Sequence, residues 1–409
     1  METEKKILPG FLPAVLVVTG ALLGSFAAIF IFGPLDISAF SAPINYYLAL
    51  AIVLIGTIAA FFKGSIIFRF LGGGHLAVVL VVIFLIYGLI MGIVPQGLEL
   101  ENDTLKGIVS RLGFFSLTSS WPFVTFYLFV LLSLAVAISL KLGKRGSFSF
   151  ILIHLGIFLV LMAAGLGAPD RQRHIMRVGE GQVEWRSMGK AGELISLPIA
   201  IRLDDFSMEE YPGQLALIDN HGVMLPENKP ELMPLNGTIN EYGTLLGYKI
   251  TVLEFLLRAV PVGKGEFARA IMAASTQAVR VEVEEIGKGR ANLSEGWISY
   301  GNPMIAPQVL ELSQSKYLVM TRPDPKSFAS RIKVFTQEGQ EQEGEVLVNK
   351  PLKIGQWLIY QHGYENSLGN LSPWSSFLLV KDPFLYLAYL GFILWALGAF
   401  TLVLKGNRK

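Results

Sequence analysis

The stretch Phe148–Leu166, FSFILIHLGIFLVLMAAGL, decides how the rest of the chain is read. It is close to the roughly 20 residues that a helix needs to cross about 30 Å of hydrocarbon. One ionisable side chain, His154, stands inside it. Such a group is costly in lipid, so it normally turns toward other helices and has a partner. A neutral imidazole keeps a lone pair for a metal. A single histidine supplies a single ligand, so the feature points outward, to a cofactor or to a second protein.

Five further stretches share this apolar character: about Phe11–Phe32, Tyr46–Phe62, Leu76–Val94, Phe123–Leu140 and Phe384–Leu404. Six transmembrane helices are therefore predicted. The composition agrees, at 52% hydrophobic with a mean hydropathy of +0.51. That is too apolar for a soluble protein of 409 residues. The first stretch is too long for the apolar region of a cleaved signal peptide and lacks a convincing cleavage site, so it reads as a retained anchor.

Basic residues in the short segments predict the orientation. Lys5 and Lys6 precede the first span, Lys63 and Arg69 follow the second, Lys141, Lys144 and Arg145 join the fourth to the fifth, and Lys405, Arg408 and Lys409 end the chain. All fall on one side if every helix spans. The opposite short segments hold Lys106 and Arg111 beside Glu99, Glu101 and Asp103. Both termini are thus expected in the cytoplasm, with Gly167 to about Lys381 outside. The chain has no cysteine, which excludes disulfide staples and thiol–disulfide exchange by this protein itself. A net charge of +2 gives no argument for nucleic acid.

The expected layout is two helices and a cytoplasmic link (1–75), three helices (76–167), a large domain (168–381), and a closing helix with its tail (382–409). The link Phe68–His75, FRFLGGGH, is broken by glycines, and a short surface helix is expected around Asp103–Leu112. The large domain reads as β-rich, with runs such as LPIAIRLDDF, KITVLEFLL and AVRVEVEEI. Val281 to Glu284 alternates as a half-buried strand does. Many short strands imply an antiparallel sandwich or an open barrel. The fold class is therefore an α-helical integral membrane protein with a large extracytoplasmic β-rich domain.

Several blocks resemble the ResB/CcsB family of system II cytochrome c maturation. They are Ile93-Val94-Pro95-Gln96, Ser119–Ile138, Ile153–Gln182, IRLDDFSMEEYPG (Ile201–Gly213), SRIKVF with EVLVNKPLKIGQWLIYQHGYEN (Glu345–Asn366), and Lys381-Asp382-Pro383 leading into YLAYLGFILWALGAF. The resemblance covers about residues 76 to 405, and VNKPLKIGQWLIYQ is its most specific part. Two features depart from the simpler family pattern: the two N-terminal helices, and an insertion at about 213–320.

The resemblance implies pairing with a CcsA/ResC-type membrane protein. Together such proteins are thought to move haem outward and attach it to the Cys-x-x-Cys-His motif of apocytochrome c. The partner carries a Trp-Trp-Asp loop, which is absent here, so this chain is not that partner. A histidine in the family's third core helix is an axial ligand of haem b, shared transiently with the partner, and His154 matches it. Placed six residues into its helix, His154 would lie about 10 Å inside the bilayer. The second imidazole would come from the partner. Thioether formation would then be the partner's work, leaving this chain the non-catalytic subunit.

Each candidate also has a plainer reading. His154 can simply hydrogen-bond a neighbouring helix. His75, after three glycines, is a haem contact on entry or a snorkelling interfacial side chain. Arg171, Arg173 and His174 can attract haem propionates or form a solvated charged face. His221 and His362 read as structural or surface residues. Gly20/Gly24 and Gly88/Gly92 have the spacing of close helix packing. Trp121 and Trp374 read as interface residues, and Trp185, Trp297 and Trp357 as core. Two other function classes remain open: an electron-transfer subunit with a permanent haem b, and a haem-free assembly protein.

Overall fold

The computed structural model describes residues 10–97, 109–110, 112–189, 192–272, 274–287, 293–312 and 315–406. Most of the helix expected at Asp103–Leu112 lies outside these residues, as do Lys106 and Arg111. The chain divides into two compact units, Met1–Gln172 with Asp382–Lys409, and Arg173–Lys381.

The first unit is helical: α1 (Phe11–Phe32), α2 (Ile44–Phe61), α3 (Ile66–Leu71), α4 (Gly74–Ile93), α5 (Trp121–Lys141), α6 (Phe148–Leu166) and α7 (Leu385–Gly406). All except α3 are long and apolar enough to cross a membrane. Less than half of each such span is buried against the rest of the chain. The exposed remainder is apolar, including Leu16, Phe30, Leu85 and Phe400, and hydrocarbon can cover such surface without loss. The glycine-rich link is more ordered than its sequence suggests, because Ile66–Leu71 completes a short helix before Gly72 and Gly73 break it.

Helix starts are set by local chemistry. Ser120 Oγ caps α5 by accepting from Phe123 N at 3.3 Å, and Pro122 follows within the first turn, where its missing N–H costs nothing. Asn45 opens α2 fully buried. Its Nδ2 donates to Leu166 O at 2.9 Å and to Asp170 Oδ2 at 2.8 Å, which ties the start of α2 to the end of α6.

Packing uses different glycines from those the sequence pattern marked. Nothing lies within 4 Å of a Cβ built at Gly20, Gly24, Gly88 or Gly92. The close crossing is α6 on α7. A Cβ at Gly156 would sit 2.5 Å from Trp395 N and 2.6 Å from Gly391 O, and one at Gly391 would sit 2.8 Å from Gly156 O. Backbones approach this closely only where a side chain is missing.

The second unit is two β-sandwiches of antiparallel sheets. In the first, the sheet β1 (Gln172–Gly179), β17 (Trp374–Lys381), β16 (Trp357–Tyr364), β15 (Leu352–Ile354) faces the sheet β14 (Glu341–Leu347), β13 (Pro325–Thr336), β3 (Leu194–Glu210), β2 (Val183–Met188). Met176, Ile199, Ile201, Ile332, Trp357 and Phe377 fill the space between them. The second sandwich lies in chain order between β3 and β13. Its sheets are β11 (Leu310–Glu311), β12 (Tyr317–Met320), β4 (Gln214–Ile218), β5 (Leu232–Pro234), and β10 (Leu293–Ser299), β9 (Thr276–Glu285), β7 (Tyr248–Gly263), β6 (Tyr242–Leu245), with β8 (Glu266–Arg269) on β7. Leu215, Ile250, Val281 and Leu318 lie in its core.

One irregularity matters later. Leu197, Ile199, Ile201 and Leu203 point inward along β3, and then the phase changes to Phe206 and Met208. The register against β13 slips between Leu203 and Asp205, so Asp204 is the extra residue of a bulge. The new phase leaves Glu209 exposed and brings Glu210 half inside. Trp297 and Trp357 are core residues as expected, but Trp185 is 46% exposed and lies under the Arg186 guanidinium. Trp374 lies on a strand, with Arg177 3.7 Å above its ring.

Candidate functional site

His154 lies one and a half turns into α6. The helix has three kinds of face. Gly156 meets α7, while Phe158, Met162 and Leu166 pack in the core shared with α2 and α5. Phe150, His154 and Ile157 form a half-buried row. The His154 Nδ1–H donates to Phe150 O, one turn earlier, at 2.8 Å. The Phe150 ring stacks on the imidazole with centroids 3.7 Å apart and planes 21° from parallel. Lys141 Nζ, at the end of α5, sits 5.4 Å over the same Phe150 ring.

These contacts hold the imidazole in one orientation. With Nδ1 donating to a carbonyl, the lone pair of a neutral ring lies on Nε2. Nε2 meets no hydrogen-bonding atom among the described residues. Metal-bound histidines usually carry such a bond on the other nitrogen, which fixes tautomer and ring angle. The ring could therefore offer one nitrogen ligand, Nε2, to a metal. Among the described residues no three metal-binding side chains come together. Phe150 and Lys141 were not singled out from the sequence. The i, i+4 spacing of Phe150 and His154 was the available signal for the first; the approach of Lys141 depends on how α5 packs and has none.

The other candidates are placed separately. His75 is exposed in the first turn of α4, with Phe11 edge-on at 4.8 Å. Arg171, in the helical unit, pairs with Asp382 at 2.9 Å. Arg173 and His174 begin the β unit; Arg173 is exposed, while His174 is half-buried with Nδ1 3.1 Å from Ser187 Oγ. Burial lowers the His174 pKa from its ordinary value, which disfavours the cation. His221 lies in the Asp219 turn, its backbone N–H donating to Asp219 Oδ1 at 2.8 Å. His362 is exposed, with Nδ1 3.2 Å from Ser376 Oγ.

The strands from β9 to the start of β17 carry a likeness to a known family. Residues 281–374 match the ResB-like family. The ResB-like stretch contains VNKPLKIGQWLIYQ, the block on which the resemblance leaned most, here forming the β15–β16 hairpin. It begins in β9, within the segment 213–320 that the resemblance set apart as an insertion, so part of that segment is itself ResB-like. The match does not reach the membrane helices, and His154 lies outside it. No curated protein matches the chain.

Proposed function

We propose that this chain is the ResB/CcsB component of a system II cytochrome c maturation complex. It binds haem b through His154, helps to export it, and positions it with apocytochrome c for attachment by a CcsA/ResC-type partner. The β unit then lies outside the cytoplasmic membrane, both termini lie inside, and this chain is the non-catalytic half of the assembly. The single observation that carries the reading is the His154 ring: Nδ1 is committed to Phe150 O, and Nε2 is left without a partner among the described residues. The ResB-like match supports the family context.

Haem supplies the iron porphyrin that becomes covalently attached to the cytochrome. On this chain His154 Nε2 would provide one axial ligand, which with burial tunes the iron's potential. The Phe150–Ile157 row would cover part of the apolar macrocycle. Lys141 is the cation available near that row for a propionate. A second imidazole for the iron would come from the partner, since His75, the only other histidine in the described membrane helices, sits at a helix start and packs on Phe11.

A haem-free role is the second reading, favoured by the same Nδ1 bond, which satisfies the ring within its own helix. A permanent haem b in an electron-transfer subunit is the third. Complementation of a deletion strain separates them, read by haem staining of c-type cytochromes. The maturation role predicts that the deletion abolishes all c-type cytochromes served, that the wild-type gene restores them, and that His154→Ala does not. Full restoration by His154→Ala supports the haem-free role, and intact cytochromes in the deletion strain support the electron-transfer subunit.

A further inference from the structure

The chain crosses between the two sandwiches twice, at Tyr211–Gly213 and at Thr321–Asp324. A cavity of about 540 Å³ lies beside these crossings. That volume is within the range of small-molecule sites. Its floor is polar and built from both sandwiches. Glu210, brought inward by the bulge in β3, accepts from Tyr300 Oη at 3.1 Å and from Gln277 Nε2 at 3.4 Å. Gln277 is buried and fully engaged, donating also to Tyr211 O at 2.8 Å and accepting from Gly213 N at 2.9 Å. Met208, Leu257 and Pro303 add apolar wall.

The charges around this floor are unbalanced. Lys326 and Glu209, both on the lining, pair with each other at 3.6 Å. Arg258 of β7 and Arg322 of the return crossing also line the cavity, and neither makes an ion pair among the described residues. Among the described residues Arg322 donates one hydrogen bond, to Asn366 O. Against these two guanidinium groups stands one carboxylate, Glu210, already occupied by two donors. The lining thus keeps a positive excess and presents two planar donor forks to the cavity. Such forks match carboxylate and phosphate oxygens in pairs.

We propose that this cavity binds a small organic anion, its carboxylate or phosphate held by Arg258 and Arg322 and its body lying over the Glu210–Tyr300–Gln277 floor. Arg258 belongs to the second sandwich and Arg322 to the crossing back to the first, so a bound anion joins the two. The site is independent of the haem reading.

The test is thermal unfolding of the full chain in detergent, titrated with millimolar citrate or inorganic phosphate at constant ionic strength. Wild type is expected to show a saturable rise in Tm with at least one of them, since a ligand that binds only the folded state stabilises it. Citrate acting alone marks a carboxylate ligand, and phosphate acting alone a phosphoryl one. Arg258→Gln and Arg322→Gln should each reduce the rise several-fold. Arg258 is exposed and makes no side-chain hydrogen bond or ion pair among the described residues, so its variant should fold even if loss of the Arg322 bond to Asn366 O disturbs the crossing. No saturable rise with either anion, or an undiminished rise in Arg258→Gln, overturns the proposal.

Discussion

His154 and Glu210 are both polar groups taken out of water, and the chain treats them differently. His154 has one nitrogen bonded and one left free; Glu210 has donors on its carboxylate from two directions. Burial is the main influence on Glu210 and raises its pKa, while the Tyr300 and Gln277 donors and the nearby Arg322 charge pull it back down. A raised carboxyl pKa means that the folded state favours the protonated form. The associated stability is complete below the ordinary carboxyl range and is lost as pH rises through the raised folded value. Glu210→Gln stays neutral throughout and keeps an acceptor for Tyr300. Its Tm relative to wild type should therefore rise between about pH 4 and about pH 7. A difference that is flat with pH, or that falls, would show that Glu210 does not titrate in this way. The inward turn of Glu210 was not legible in the sequence. It depends on Asp204 being the bulged residue, and a bulge is decided by the partner strand.

At the scale of elements, the six apolar helices were legible because twenty apolar residues in a row have few other uses. Their limits moved by a residue or two where caps decide, as at Ser120. Their neighbours were not legible. Gly20/Gly24 and Gly88/Gly92 have the small-residue spacing, yet Gly156 meets Gly391 across α6 and α7 with no such repeat in α6. Spacing marks where a close approach is possible; the fold of the whole bundle chooses where it happens. Gly156→Leu should therefore destabilise the helical unit by about 1–3 kcal/mol or prevent its assembly, as overpacking does. Gly20→Leu, with nothing within 4 Å, should stay close to wild type. Unfolding in detergent compares the two, and equal stability of both variants would show that the α6–α7 contact is not as described.

At the scale of the molecule, a helical membrane unit and an antiparallel β unit follow from hydropathy and alternation, since each is a local property. That the β unit is two sandwiches, with β4 to β12 closing on their own core, was beyond the sequence, because strand order is set by long-range pairing that alternation does not encode. The site divides in the same way. His154 stood out by its cost in lipid, whereas the bond that leaves its Nε2 free depends on the side-chain rotamer, which the sequence does not encode. The central claim is that this nitrogen reaches haem iron, and the absorption spectrum of the full complex purified from membranes tests it most directly. The wild-type complex should show the bands of a low-spin haem. His154→Ala should lose or shift them, and added imidazole should restore them by replacing the missing ligand. A His154→Ala complex with the same haem content and the same spectrum would contradict the account.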